Sequence, residues 1–209
     1  MFPEDSKSIE LKKDKQMKKV IFALLALMLA TGAMAQQKFY EQSIGVRAGL
    51  NISKMKTDGV TYDANGGFHV GGVYQRLLTK KAPIYLETGL YLSQKGYKVD
   101  GANKCNAYYL EVPLLVNYKF VAGKEFTLYP SAGFYYGLGV GGNVKFEGEK
   151  FDTFGDKYLE RSDFGVRASF TGEWRQFLLS AGYDYSLFDA GKVGKMKHRT
   201  FFLSVGYNF

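Results

Sequence analysis

Cysteine is nearly missing: Cys105 is the only one in 209 residues, so no internal disulfide can form and the fold must hold without one. It also lies far from any position where a lipoprotein would carry its acylated first residue, so no lipid anchor is implied. Proline is scarce, at 4, and signals for amphipathic helices are few. Histidine is limited to His69 and His198, and no His/Cys/Asp/Glu cluster has metal-ligand spacing. Long hydrophobic runs are lacking too. The one apolar stretch, Val20 to Ala30 (VIFALLALMLA), is about half of the ~20 residues that a helical span takes. These shortages exclude a disulfide scaffold, a helical membrane protein and a His/Cys metal centre.

What is present is 17 Phe, 16 Tyr and 25 Gly, a balance that favours one β-rich domain. The apolar stretch follows Met17, Lys18 and Lys19 and precedes Ala33-Met34-Ala35. A basic start, a short apolar core and an A-x-A site predict a secretory signal peptide over 17–35, cleaved so that the mature chain starts at Gln36. Residues 1–16 are charged and aperiodic, and they read as a mis-set start or a disordered extension ahead of the second start at Met17. Residues 36–209 remain for the folded domain. The net charge of +8 is modest, and an exported chain meets no nucleic acid, so a nucleic-acid partner is excluded.

The final stretch, RTFFLSVGYNF (Arg199 to Phe209), sets the pattern. Phe201, Leu203, Val205, Tyr207 and Phe209 fall on alternate positions and share one strand face, with Phe202 the lone exception. It resembles the C-terminal targeting strand of bacterial outer-membrane β-barrels, which implies that an assembly machinery reads it and that it closes against the first strand. From Ser43 onward the same period recurs, as in Ile44-Val46-Ala48-Leu50, Ile84-Leu86-Thr88-Leu90-Leu92 and Leu110-Val112-Leu114-Val116. Eight such strands emerge, and no apolar-phase position in them is charged. The opposite face carries Arg47, His69, Glu87, Lys95, Glu111, Lys119, Asp163, Arg167, Glu173 and Asp184. A soluble sandwich would turn the apolar face inward, whereas a lipid-exposed barrel turns it outward. The signal peptide and the aromatic residues at strand ends favour the second arrangement: an all-β, closed, eight-stranded antiparallel transmembrane barrel.

Connections between these strands alternate short and long, as turns on the periplasmic side and external loops do. Pro113 and Pro130 fall within strands and are expected to mark bulges. The segments YYLEVPLLVNY (Tyr108 to Tyr118), LYPSAGFYYGLGVGG (Leu128 to Gly142) and DFGVRASFTGEW (Asp163 to Trp174) resemble the porin-family outer-membrane β-barrel domain common in Bacteroidetes, which includes PorT-like proteins. That resemblance implies a Gram-negative outer membrane and no catalytic residue, since the matching positions are architectural.

Chemistry must still be sought. A Ser-His-Asp site needs a base in reach of its nucleophile, and no spacing singles out one of the inward serines Ser131, Ser169, Ser180 and Ser204. His69 is expected as a hydrogen-bonded lumen residue and His198 as a solvated loop residue. The glycines Gly137, Gly139, Gly141 and Gly142 lack the Lys-Ser/Thr of a phosphate loop and instead make room inside a narrow barrel. No cofactor and no enzymatic activity are implied. Inward charges of both signs predict a filled lumen built from Arg47, Glu87, Glu111, Lys119, Arg167 and Glu173, with bridges Arg47–Glu87 and Glu111–Arg167. Loop residues Lys192, Lys195 and Lys197 could lie against lipopolysaccharide phosphates. The expected role is a structural or interaction module whose partners are outer-membrane lipid, lipopolysaccharide, the assembly machinery and an unidentified protein at the loops. A narrow solute channel is the alternative and a lipid-modifying enzyme resting on His198 a more distant one. About eight strands give an interior that side chains can fill, against about 16 to 18 for open pores.

Overall fold

The computed structural model describes residues 40–209 apart from 58–59, 62, 99–103, 147–148, 155–158 and 190–196. The expected signal peptide, the Gln36 start and residues 1–16 lie outside the described residues. Eight long strands follow one another: β1 Gln42–Thr57, β2 Asp63–Leu77, β3 Ile84–Lys98, β4 Lys104–Tyr118, β5 Phe126–Phe146, β6 Ser162–Trp174, β7 Phe177–Ser186 and β8 Lys197–Asn208. Each pairs antiparallel with its successor, and β1 pairs with β8 from Gly45↔Asn208 to Lys56↔Lys197, which closes the barrel.

The alternation read from the sequence decides which face is which. Leu50 is 67% exposed, Val205 59% and Trp174 53%, while Lys95 and Glu111 on the other face are each 1% exposed. Apolar side chains outside and charges inside invert the order of a water-soluble sheet, and they suit hydrocarbon, where only a closed sheet satisfies every backbone group. Phe202, the exception in the final strand, points into the lumen and is 8% exposed. Its ring meets His69 edge-on at 5.7 Å and lies 5.1 Å from the Arg167 guanidinium.

Both described ends of the chain lie at one end of the barrel, termed the turn end. There Phe177, Tyr207 and Phe209 pack in sequence with ring centroids 5.2 Å apart. At the opposite loop end Phe134, Phe164 and Phe188 make a second outward aromatic row, at 5.8 and 5.7 Å. Two belts of this kind are what the headgroup levels of a bilayer favour. The tightest turn, Arg175-Gln176, has Arg175 at φ 57, the positive value that two-residue hairpin turns require. Arg175 Nη2 also donates to Glu125 Oε1 at 2.9 Å, and this hydrogen bond holds the Glu125 carboxyl below the usual carboxylate range.

Two expectations fail. Pro113 and Pro130 are not bulges, because the register of β3 with β4 runs unchanged from Glu87↔Leu115 to Tyr91↔Glu111, and that of β5 with β6 runs through Pro130↔Phe170. Pro113 donates nothing to the ladder, and the Thr88 hydroxyl bonds its carbonyl at 2.9 Å. The actual irregularities lie between Tyr108 and Tyr109 and between Ala64 and His69. The loops are also shorter than read, because β1, β3, β4 and β5 extend past the apolar band. β5 continues to Phe146, and a short strand, Glu149–Asp152, folds back on it.

Closure ends at the last residue, where Phe209 N donates to Ile44 O at 2.8 Å and its ring packs on Tyr207. Deleting Phe209 should leave the protein exported but poorly inserted and open to periplasmic proteolysis. Heat-modifiable migration on gels reads this out, and normal barrel formation by the deletion variant would remove the role assigned to that residue.

Candidate functional site

The lumen holds the polar chemistry, and it is filled in layers set by strand position. At the turn end Lys119 of the β4–β5 connection pairs with Glu173 at 3.3 Å. Its ammonium stands 4.8 Å from the ring centroids of both Tyr85 and Tyr129, so the cation is held by a carboxylate and two aromatic faces. Glu173 also accepts from Asn208 Nδ2 at 2.8 Å, and Asn208 Oδ1 accepts from Arg47 Nη2 at 2.7 Å. The expected Arg47–Glu87 bridge is not made. Arg47 instead spends its guanidinium on Asn208 and the carbonyls of Val46 and Tyr207, while Glu87 Oε2 accepts from Gln75 at 2.5 Å and Asn117 at 2.8 Å. The physical reason is reach: Gln75 lies directly opposite Glu87, and Asn117 and Asn208 stand two residues from the register partners of Glu87 and Arg47, so neutral groups satisfy each charge locally.

Between Arg47 and Glu87 lies a polar cavity of ≈ 40 Å³, room for a few waters. Asn51, His69 and Ser204 line it. Asn51 Nδ2 donates to the carbonyls of Phe68 (3.1 Å) and Gln94 (3.0 Å), which fixes its amide and turns Oδ1 toward His69 Nδ1 at 2.8 Å. Nδ1 must then carry the proton, so Nε2 accepts from the Ser204 hydroxyl at 2.6 Å. The polarity is that of a serine with its base and orienting amide. Sequence spacing could not show this relay, because strands β1, β2 and β8 supply one member each.

Farther toward the loop end the charges form a continuous chain. Arg167 binds Asp184 through Nε (2.7 Å) and Nη2 (2.7 Å), and Nη2 also reaches Glu111 at 2.9 Å. Glu111 pairs with Lys95 at 2.7 Å, and Lys95 with Asp163 at 3.0 Å. Glu111 and Arg167, read from depth along the strands as partners, are thus in contact. Lys95, Asp163 and Asp184 complete the chain, and Tyr135 stands beside it with its ring 4.4 Å from the Lys95 ammonium. Ser186 donates to Asp163 at 2.6 Å.

Above the charges the lumen turns apolar. Met55, Tyr97, Cys105, Ala107, Tyr109, Val144, Phe154 and Leu159 form one buried cluster. Phe154 and Leu159 come from the connection after the short strand, so the longest loop folds into the mouth. Thr153 Oγ1 anchors it on Asn106 O at 2.8 Å, and Phe154 meets Tyr109 edge-on at 5.5 Å. A side chain at Gly139 would run into the Phe154 ring, which gives that glycine a concrete reason. His198 is not solvated as expected: it is 1% exposed beneath this cap, its ring edge-on to Tyr109 at 6.0 Å.

The residues expected as an assembly signal, Phe201, Leu203, Val205, Tyr207 and Phe209, all lie on the outer face of β8 or just after it. Lys192 and Lys195 lie outside the described residues, and Lys197 begins β8 with its ammonium 5.9 Å from the Tyr185 ring.

Comparison with known proteins agrees with this geometry. No curated sequence relative matches. Among solved structures the chain is similar to Neisserial surface protein A, at 15% identity over 81% of this chain and 100% of that one with a TM-score of 0.51. It is also similar to Ail, the attachment invasion locus protein of Yersinia pestis (18% identity, 81% and 100% covered, TM-score 0.46). The N-terminal β-barrel domain of Pseudomonas aeruginosa OprF follows at 16% identity, 80% and 97% covered, TM-score 0.40. A family model described as outer membrane protein beta-barrel domain matches residues 34–191, which takes in β1 through β7. With most of its length matched and its apolar surface turned outward on a closed sheet, the chain belongs to the outer membrane protein β-barrel domain family.

Proposed function

We propose that this outer-membrane protein is a structural and interaction module, anchored by its strands and acting on partners through its loop end, with a lumen that is filled rather than open. The observation that carries this reading is the buried chain Asp163–Lys95–Glu111–Arg167–Asp184 lying across the lumen, with Phe154 and Leu159 packed over it. Ion-selective pores line their constriction with charges of one sign. Here three carboxylates and two cations alternate in direct contact, so an entering ion meets no ring of one sign. A narrow solute channel is the second reading, and the ≈ 40 Å³ cavity beside Arg47 and Glu87 is the feature that favours it. The Ser204–His69–Asn51 relay lines that same space. A volume of a few waters holds no substrate, so the relay is read as a device that orients three buried polar groups.

The finer parts of this reading rest on the sequence. The three strand motifs favour the porin-family type common in Bacteroidetes, PorT-like proteins included. The basic and apolar start favours export with cleavage after Ala35, and the alternating final strand favours recognition by the assembly machinery. The turn end then faces the periplasm and the loop end the exterior, where an unidentified protein partner would dock. A photoreactive residue at position 151 in intact cells should cross-link such a partner, and only random products would count against a loop-mediated role.

Purified protein in planar bilayers should show no steady porin-like conductance. A stable open channel whose selectivity changes in Arg167→Ala would put the solute-channel reading first. Replacing Glu111 by Ala leaves Lys95 and Arg167 with one carboxylate each in place of two and should cost about 1–3 kcal/mol of barrel stability, against about 0.5 kcal/mol or less for Asp189→Ala in a loop. Denaturant titration of both variants makes the comparison, and equal losses would contradict a structural role for the charge chain.

A further inference from the structure

At the loop end of the seam that closes the barrel, the outward side chains change from apolar to cationic. Register sets Lys54 of β1 opposite Arg199 of β8, and the next pair in the same phase joins positions 56 and 197, both lysine. These positions continue the outward rows of Leu50 and Ile52 on β1 and of Leu203 and Phe201 on β8. Each step in phase is about 7 Å along the strand, so Lys54 and Arg199 stand at headgroup level just above the lipid-facing band.

Like charges directly opposite on neighbouring strands destabilise a sheet. Among the described residues no salt bridge relieves Lys54, Lys197 or Arg199. Arg199 has its guanidinium 5.3 Å from the Tyr185 ring, and its Nε is buried without a hydrogen-bond partner. A repelling pair of cations on the outer face has one remedy: an anion with several acceptor oxygens between the two strands. A guanidinium fork beside an ammonium suits phosphate. Directly beneath, Ile52 is 51% exposed, Phe201 47% and Leu203 45%, an apolar strip that an acyl chain would cover.

We propose that the β1–β8 seam is a binding site for a phosphate-bearing lipid of the outer leaflet, its phosphate held between Lys54 and Arg199 and its acyl chain laid along Ile52, Phe201 and Leu203. The bound lipid supplies the counter-charge that the seam lacks and so strengthens closure where the first and last strands meet. The site uses strand residues, not the loop lysines Lys192 and Lys195, and it is independent of whether the lumen conducts.

The test uses the full folded barrel in an uncharged maltoside detergent, with doubly phosphorylated lipid A, dephosphorylated lipid A and inorganic phosphate as separate probes. Native mass spectrometry should show the wild type retaining the phosphorylated lipid about tenfold more tightly than the dephosphorylated one, and Lys54→Gln/Arg199→Gln losing that preference. Thermal unfolding adds a readout of opposite sign. Without lipid the double variant should be at least as stable as the wild type, because the repulsion is gone. With phosphorylated lipid only the wild type should gain. Equal retention of both lipids by the wild type, or an unchanged preference in the double variant, overturns the proposal. Displacement of the lipid by inorganic phosphate at equal concentration also overturns it and marks a free-anion site. Lys54 is exposed, so Lys54→Gln alone carries the same test if the double variant does not fold, and an unchanged preference there is equally fatal.

Discussion

Every other feature of this protein depends on the pairing of β1 with β8. In hydrocarbon an unpaired backbone N–H or C=O costs several kcal/mol, so a sheet of this length has no tolerable edge and must close. The twelve-step register from Gly45↔Asn208 to Lys56↔Lys197 removes both edges at once. Pro113 supplies no donor to that ladder, and its carbonyl accepts from the Thr88 hydroxyl. The outer face can then be apolar across the lipid-facing band, and the charges at that depth are forced into a narrow interior.

That interior sets the second problem. A charge inside a small barrel is nearly as cut off from bulk water as one in a protein core, and an ion without a partner there is costly. Arg167 answers with Asp184 and Glu111 and Lys95 with Glu111 and Asp163, so each cation has two carboxylates and shares the middle one. Tyrosines stand beside the cations at both ends of the lumen, giving an aromatic face where no carboxylate fits. Arg47 and Glu87 follow another solution, each bound by neutral amides and carbonyls around a small polar cavity. An ion-filled lumen of this kind favours rigidity and leaves the loop end as the surface on which specificity can be built.

The loop end combines two kinds of chemistry. Inside, Phe154 and Leu159 close the mouth with an apolar cluster that needs no counter-charge. Outside, at the seam, Lys54 faces Arg199 across neighbouring strands with no salt bridge to either among the described residues. Such a pairing is stable where the surroundings supply negative charge, and the headgroup layer of a membrane is such a place. The same closure that protects the backbone brings these cations together.

Much of this could be read from the chain alone, for a simple reason: strand period is two, so apolar and charged residues sort onto opposite faces before any contact is known. The strand count, the outward row ending at Phe209, the lumen charges from Arg47 to Asp184 and the contact of Glu111 with Arg167 were all legible from periodicity and depth. What the period cannot carry is whatever depends on neighbours brought together by closure. Ser204, His69 and Asn51 meet only because β8 returns beside β1, and Lys54 faces Arg199 for the same reason. His198 reads as a loop residue in sequence, yet β8 begins early enough to carry it under the cap. Pro113 and Pro130 read as bulges, yet register is a property of strand pairs, and the pairs on either side hold both prolines in phase. Alternation along the chain determined the barrel and its two faces; only the pairing across strands decided which charges, which relay and which cap fill it.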